Sequence, residues 1–354
     1  MKEFGSEFHI SYGQDSYFTT IAALKAHHAF VRTGREALLL TTRHEELANK
    51  VVLMPAYCCW SMEAPFIQAG YDIEYYQLND DLTINIDYLI SITRKNNPSL
   101  ILVMNYFGFT PTNTAVDAIK TESSSIRIVE DFSHCLFSLM DIYNPKVDYY
   151  VASIRKSIGL PDGGICISDF ELSNIEDDKL SLFVNIRNKA EILKFNYQYT
   201  ASEADKSNFM AGLSEAAKML KEQSRIIPTR ISNEAMAILN HTLTDSARRA
   251  RMCNYEHLYE LIKDNANISI PFNISMEHTA PFALPILVEN RNDVQRRLAN
   301  RCIYAPVLWP ITDKAAGICK NAEKFSSKML AIPIDQRYDY YDIEEIGQRI
   351  NEII

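Results

Sequence analysis

No run in this sequence approaches the roughly 20 apolar residues that span a bilayer, and no basic block stands out in a chain whose net charge is -9. Neither a membrane nor nucleic acid is therefore expected as a partner. Cysteine offers no framework. The seven thiols (Cys58, Cys59, Cys135, Cys166, Cys253, Cys302 and Cys319) are scattered, odd in number and without a Cys-x-x-Cys pair. Most sit in apolar runs, where buried free thiols are expected rather than bridges. The eight histidines are equally dispersed. No His/Cys/carboxylate grouping has ligand spacing, so no metal is expected. The opening residues, Met1 to Ser6, do not set a basic segment before an apolar one. With no signal peptide in view, the expected location is the cytoplasm. Internal repeats and low-complexity linkers are missing too.

What is there is ordinary globular composition, 47% apolar and 23% charged over 354 residues. That is enough for one large and one smaller domain, each with its own core. The first 170 residues alternate between strand-like and helix-like segments. Strands are expected at 51–54, 73–76, 100–104, 127–129, 148–152 and 165–168, and helices at 34–50, 60–69, 86–92 and 115–121. The strands are continuous apolar runs, as in a mostly parallel sheet covered on both faces. From about Leu172 the texture becomes polar, helical where it has any pattern. A long helix follows over 233–261, with strands near 282–288, 303–310 and 329–334, and helices over 292–300 and 341–354. The expected architecture is α/β, with a large domain over 1–225 and a smaller C-terminal α+β domain over 226–354.

In such sheets ligands bind beyond the carboxyl ends of the strands, where four loops gather: 55–60, 105–110, 131–134 and the segment around Lys156. The last is the densest signal. Ser153-Ile154-Arg155-Lys156 follows one strand and Pro161-Asp162-Gly163-Gly164 precedes the next. A loop lysine is more often solvated, but one held among small and polar residues can be desolvated and lose its proton, as an amine nucleophile must. Ser153 is close enough to offer a hydroxyl to a phosphate. The paired glycines suit a turn that needs positive φ. Asp131 ends the neighbouring strand; it is either a helix N-cap or the carboxylate that keeps a pyridine nitrogen protonated. Glu130 is a rival carboxylate, although adjacent strand residues point opposite ways. His134 is either a buried structural histidine or a contact to a cofactor ring. Thr33-Gly34-Arg35 opens a helix whose first N–H groups can hold an anion, or it is an ordinary cap. Tyr57 follows a strand end where an aromatic could stack on a planar ring, or is core. A Schiff-base lysine with a carboxylate for a pyridinium is what pyridoxal phosphate requires.

These residues resemble the DegT/StrS-type family of pyridoxal-phosphate aminotransferases, of fold type I, over nearly the whole chain. Thr33-Gly34-Arg35-Glu36-Ala37-Leu38 resembles the family's phosphate-cradling Ser-Gly-Thr/Arg-x-Ala-Leu segment. Leu53-Met54-Pro55-Ala56-Tyr57, Gln68-Ala69-Gly70 and Tyr106-Phe107-Gly108 match its strand ends and turns. Glu130-Asp131-Phe132-Ser133-His134 is similar to Glu-Asp-Ala-Ala-Gln/His, which implies the pyridine-nitrogen role for Asp131 and a ring-side contact for His134. The segment 153–164 is similar to the family's lysine loop, and 305–310 and 330–334 to the small domain's strands. There are departures. Ile154-Arg155-Lys156 replaces Pro-Thr/Ser-Lys, putting a cation beside the lysine. Cys59 stands where an aromatic commonly stacks on the cofactor, leaving Tyr57 or Trp60 for that role. Pro228-Thr229-Arg230 replaces an Asn-x-Arg loop that the family supplies from the partner subunit.

The resemblance implies pyridoxal 5′-phosphate as cofactor and a homodimer with shared active sites. It also implies amino transfer from an amino acid, glutamate most often, to a keto-sugar nucleotide in polysaccharide or secondary-metabolite biosynthesis. Lys156 and Asp131 are the implied catalytic pair. Gly34, Arg35, Tyr57, Cys59, Trp60, His134 and Ser153 join them around the cofactor. Two alternatives stand beside it: a pyridoxal-phosphate enzyme on a non-sugar amino or keto substrate, and a cofactor-binding protein without turnover.

Overall fold

The computed structural model describes residues 4–5, 16–43, 49–177, 181–272 and 280–354. Its strands, in chain order, are β1 (Phe4–Gly5), β2 (His27–Val31), β3 (Val51–Pro55), β4 (Asp72–Tyr76), β5 (Leu100–Met104), β6 (Arg127–Asp131), β7 (Tyr149–Ala152), β8 (Gly164–Ser168), β9 (Leu284–Leu287), β10 (Ile303–Tyr304) and β11 (Met329–Ile332). Seven of them form one sheet in the order β2-β8-β7-β6-β5-β3-β4. β8 runs antiparallel to both of its neighbours, β2 and β7, and the other pairings in this sheet are parallel. The mostly parallel sheet follows from composition: every residue of β5, β7 and β8 is buried, which requires cover on both faces. The helices Trp60–Gln68, Ile86–Asn96 and Asn113–Glu122 make the crossovers between parallel strands.

Strand β2 escapes the sequence pattern because His-His-Ala-Phe-Val is not an apolar run. Its place is set by pairing along the whole of β8, from His27 opposite Ser168 to Val31 opposite Gly164. Three expected elements are shorter than anticipated. The helix over 34–50 is Gly34–Leu40, because the Thr41 and Thr42 hydroxyls take the Leu38 and Leu39 carbonyls at 2.8 Å each; residues 44–48 lie outside the described residues. The helix over 233–261 is two, Asn233–Leu239 and Thr244–Ile262, parted by a turn in which the Thr242 hydroxyl donates to the Ile238 carbonyl. The strand over 303–310 is the two-residue β10. Proline at 306 and 310 removes ladder donors beyond it.

The polar stretch after Leu172 contains an antiparallel pair of long helices, Leu182–Thr200 and Glu203–Glu222. Ser181 and Ser202 cap their starts through hydroxyls that accept from Val184 and Asp205 N–H groups. A second apolar core lies under β9 and β11, which pair antiparallel, and the helices Thr244–Ile262, Arg291–Asn300 and Tyr340–Ile353 pack there. The two cores interleave along the chain. Phe4 belongs to the second, where β1 pairs with β10, while Ala235, Ile238 and Leu239 belong to the first. All seven cysteines are free thiols. Among the described residues no group of three or more His, Cys, Asp or Glu side chains could hold a metal, and no helix is long and apolar enough to cross a membrane.

Candidate active site

The carboxyl ends of β6 and β7 are where the sheet delivers its chemistry. β6 ends on Asp131, whose buried carboxylate accepts the Ser133 N–H at 2.8 Å. The Ser133 hydroxyl in turn accepts the Ser153 N–H at 2.9 Å, so the strand that presents the acid is tied to the loop that presents the lysine. That loop is a single 3₁₀ turn, Ile154–Lys156. It is closed from below by Ile154 N–H to the Gly163 carbonyl at 3.1 Å and braced from the second core by Gln336, which donates to the Ser157 carbonyl at 2.8 Å. The Lys156 amine stands 5.2 Å from the centre of the Trp309 ring, a cation–π distance.

The rivalry between Glu130 and Asp131 is resolved by strand alternation. Glu130 points away from the cavity and accepts the Thr112 hydroxyl at 2.8 Å. Its other oxygen has no hydrogen-bond partner, and burial pushes its carboxyl up to about 7. Asp131 alone of the two lines the cavity.

The glycines matter through close approach. A Cβ on Gly164 would lie 2.4 Å from the Thr33 carbonyl oxygen, and one on Gly34 would lie 2.9 Å from the Ser153 Cβ. Either contact is closer than real atoms tolerate, so the start of β8, the start of helix Gly34–Leu40 and the lysine loop meet only because both residues lack side chains. Thr33 caps that helix, its hydroxyl accepting from Glu36 N–H. Asp162 serves a neighbouring joint. Its carboxylate accepts the Ser232 N–H at 2.9 Å and the Ser232 hydroxyl at 2.5 Å, and burial raises its pKa.

Together these elements enclose a cavity of about 820 Å³. Seven of the nine site residues expected from sequence line it: Gly34, Arg35, Cys59, Trp60, Asp131, Ser153 and Lys156. Their roles differ in detail. Arg35 does not present a free guanidinium; it donates to the Leu220 carbonyl at 2.9 Å and lies over the Trp60 ring. Burial pulls its pKa down. Trp60 is half exposed at the rim, whereas Cys59 is largely covered; burial raises its thiol, an effect the Lys156 charge opposes.

Tyr57 and His134 stand one layer behind the wall. Tyr57 is fully buried, with its hydroxyl donating to the Leu308 carbonyl and its ring against Tyr106, Trp309 and Phe325. The ring so enclosed does not line this cavity. His134 is also fully buried, between Phe282 (ring centres 4.5 Å apart) and Trp309 (5.3 Å). Its Nδ1 accepts the Phe107 N–H at 3.3 Å. Burial first, and the Lys156 charge second, hold its pKa well below the ordinary value, so the ring is neutral.

The sequence reading missed the residue that faces Lys156. Trp309 is one of only two tryptophans, and its place between Leu308 and Pro310 was the available signal. Missed too is the cover from the helical pair, which sets Phe183, Arg187, Leu213, Ala216, Ala217, Leu220 and Lys221 on the cavity. The Pro228-Thr229-Arg230 segment does not line this cavity. Thr229 is tied to Glu36 and Arg32, and Arg230 pairs with Asp177 at the surface. A second cavity, of about 750 Å³, opens on the other side of the lysine, walled by Asn292, Gln295, Arg296, Tyr304 and Phe282. Among the described residues, only Arg155 and Lys156 line both.

No family model and no curated protein matches this chain. Solved structures do. PseC of Helicobacter pylori, an aminotransferase involved in the biosynthesis of pseudoaminic acid, superposes with a TM-score of 0.68 at 14% identity, covering 99% of each chain. A DegT DnrJ EryC1 StrS aminotransferase from Brucella abortus gives 0.66 at 14%, over 95% of this chain and 88% of that one. The fold is that of these aminotransferases. The synthase of 3-amino-5-hydroxybenzoic acid shares it equally, with 0.66 at 12% over 96% and 91% of the two chains.

Proposed function

We propose that this protein is a pyridoxal 5′-phosphate-dependent aminotransferase with Lys156 and Asp131 as its catalytic pair. The observation that carries the reading is one cavity in which an amine and a carboxylate, from adjacent strand ends, share walls with Gly34 and Ser153. The residues fit the group. The Gly34–Ser153 contact leaves a cradle that any Cβ would fill, Ser153 offers a hydroxyl, and an acid and an amine line the same cavity. The cofactor supplies an aldehyde that condenses with amines and a ring that takes up a carbanion's electron pair. Asp131 keeps the ring nitrogen protonated, its own orientation fixed by the Ser133 N–H. Lys156 would provide the resident amine and would carry a proton to or from the substrate's α-carbon. Trp309 covers the amine from above and helps to keep water from it.

The second cavity, shared only through Arg155 and Lys156, is suited to the exchanging substrates. We propose an amino acid donor, glutamate, and a keto-sugar nucleotide acceptor, acting in a homodimer located in the cytoplasm, with the domains divided near residue 225. A non-sugar keto substrate is the second reading, favoured by Arg155 beside the lysine and by the fold shared with 3-amino-5-hydroxybenzoic acid synthase. Reconstituted protein is expected to show a visible absorbance band that an amino donor bleaches and the true keto acceptor restores. Failure of every keto-sugar nucleotide to restore it selects the second reading; protein that takes up no pyridoxal phosphate overturns both.

A further inference from the structure

The helical pair Leu182–Glu222 buries little of its own. Its apolar cluster, Phe183, Val184 and Ala216, is separate from both main cores, and Leu182, Ile192, Tyr199 and Met210 are exposed along it. The fold's core does not need this element, yet seven of its residues wall the cavity. Two of them are cations from different helices, Arg187 and Lys221. Arg187 is 96% buried in side-chain terms and held by Glu191, one turn on, at 2.7 Å. Burying a guanidinium on a cavity wall is costly in an apolar setting; Glu191 offsets part of that cost, and an anion in the cavity would offset more.

The end of the cavity beside Lys221 is fixed by a hydrogen bond. Arg35 grips the Leu220 carbonyl, next to Lys221, and so pins the pair against the first turn after Thr33. There Gly34 abuts Ser153. Lys156, proposed to act at the cofactor's ring, faces Trp309 instead.

Building on the proposed cofactor, we propose that this helical pair is the cofactor's phosphate cover: Arg187 and Lys221 bind the phosphate dianion from within the same chain, and Glu191 and Arg35 position them. A guanidinium–phosphate contact contributes about 1.5–3 kcal/mol, which corresponds to about 10- to 100-fold in Kd. The test compares two probes, pyridoxal 5′-phosphate and pyridoxal, titrated by absorbance into the full chain. Arg187→Met with Glu191→Leu removes both partners of the buried pair together. It is expected to weaken the phosphorylated probe about 10-fold or more and pyridoxal less than about twofold. Glu191 repels a phosphate, so its removal makes the measured loss a lower bound. Lys221→Glu, on an exposed residue that puts folding at little risk, is expected to weaken the phosphorylated probe several-fold and spare pyridoxal. Equal losses for both probes, or no loss in Lys221→Glu and the double variant, overturn the assignment. Wild-type protein that binds neither probe overturns the cofactor reading itself, and the assignment with it.

Discussion

The cavity has two walls built on different principles. The sheet wall presents Asp131, Ser153 and Lys156 from strand ends whose residues are buried on every side, and the N–H and hydroxyl of Ser133 tie the Asp131 carboxylate to the Ser153 N–H. The helical wall, Leu182–Glu222, rests on a three-residue cluster of its own, one buried ion pair and the Arg35–Leu220 bond. The groups proposed to react need fixed geometry and sit on the wall built into the sheet. The wall that must let a ligand in is the one with the least apolar burial, as expected for an element that opens locally.

The largest expected effect breaks the sheet wall's chemistry while leaving its architecture. Lys156→Ala should abolish the visible cofactor band and lower turnover by at least about 10²–10⁴-fold, the usual share of a positioned acid–base, with the melting temperature unchanged because the side chain is only half buried in a loop. Asp131→Ala should lose transamination while keeping part of the cofactor affinity; unaltered turnover would remove its assigned role. Gly164→Ala should instead damage the architecture. Its Cβ meets backbone, not a flexible side chain, and overpacking of that kind costs about 1–3 kcal/mol, readable as a lower urea midpoint and weaker cofactor binding together.

The sheet wall also carries a pH signature. The Glu130 carboxyl sits at about 7 in the fold, above its unfolded value, so the folded state holds a proton that the unfolded state releases. Its contribution is therefore present at low pH and is lost as pH rises from about 4.5 to about 7, on the order of 3 kcal/mol in all. Glu130→Gln keeps the bond from Thr112 and should flatten stability over that window in urea titrations at pH 5 and 8. The smallest global effect belongs to the helical wall. Phe183→Ala should speed hydrogen exchange across 182–222 while barely moving the main unfolding transition. If instead the whole domain loses stability, the contrast between the walls is wrong.

Much of the sheet wall was legible because its physics is local. Apolar runs such as Leu100–Met104 can only be buried strands, and strand alternation alone sorts Asp131 from Glu130. Tyr57 and His134 were legible only as far as two alternatives, cavity wall or core, and they sit one layer behind the wall. Sequence position put them at the right strand ends, but whether a ring faces the cavity or the core depends on Trp309, about 250 and 175 residues further along, which fills the space between. The helical wall was not legible. Its residues read as a polar surface, and the cavity they cover exists only once β6, β7 and helix Gly34–Leu40 are assembled. Strand β2 was hidden for a similar reason, its pairing being written in β8 rather than in itself.

The central claim is that the Lys156 amine is the group that carries the cofactor. Borohydride reduction of protein incubated with pyridoxal phosphate, followed by proteolysis and mass spectrometry, tests it directly. The account predicts one phosphopyridoxyl adduct per chain, on the peptide containing Lys156. An adduct on another lysine, or none, contradicts it.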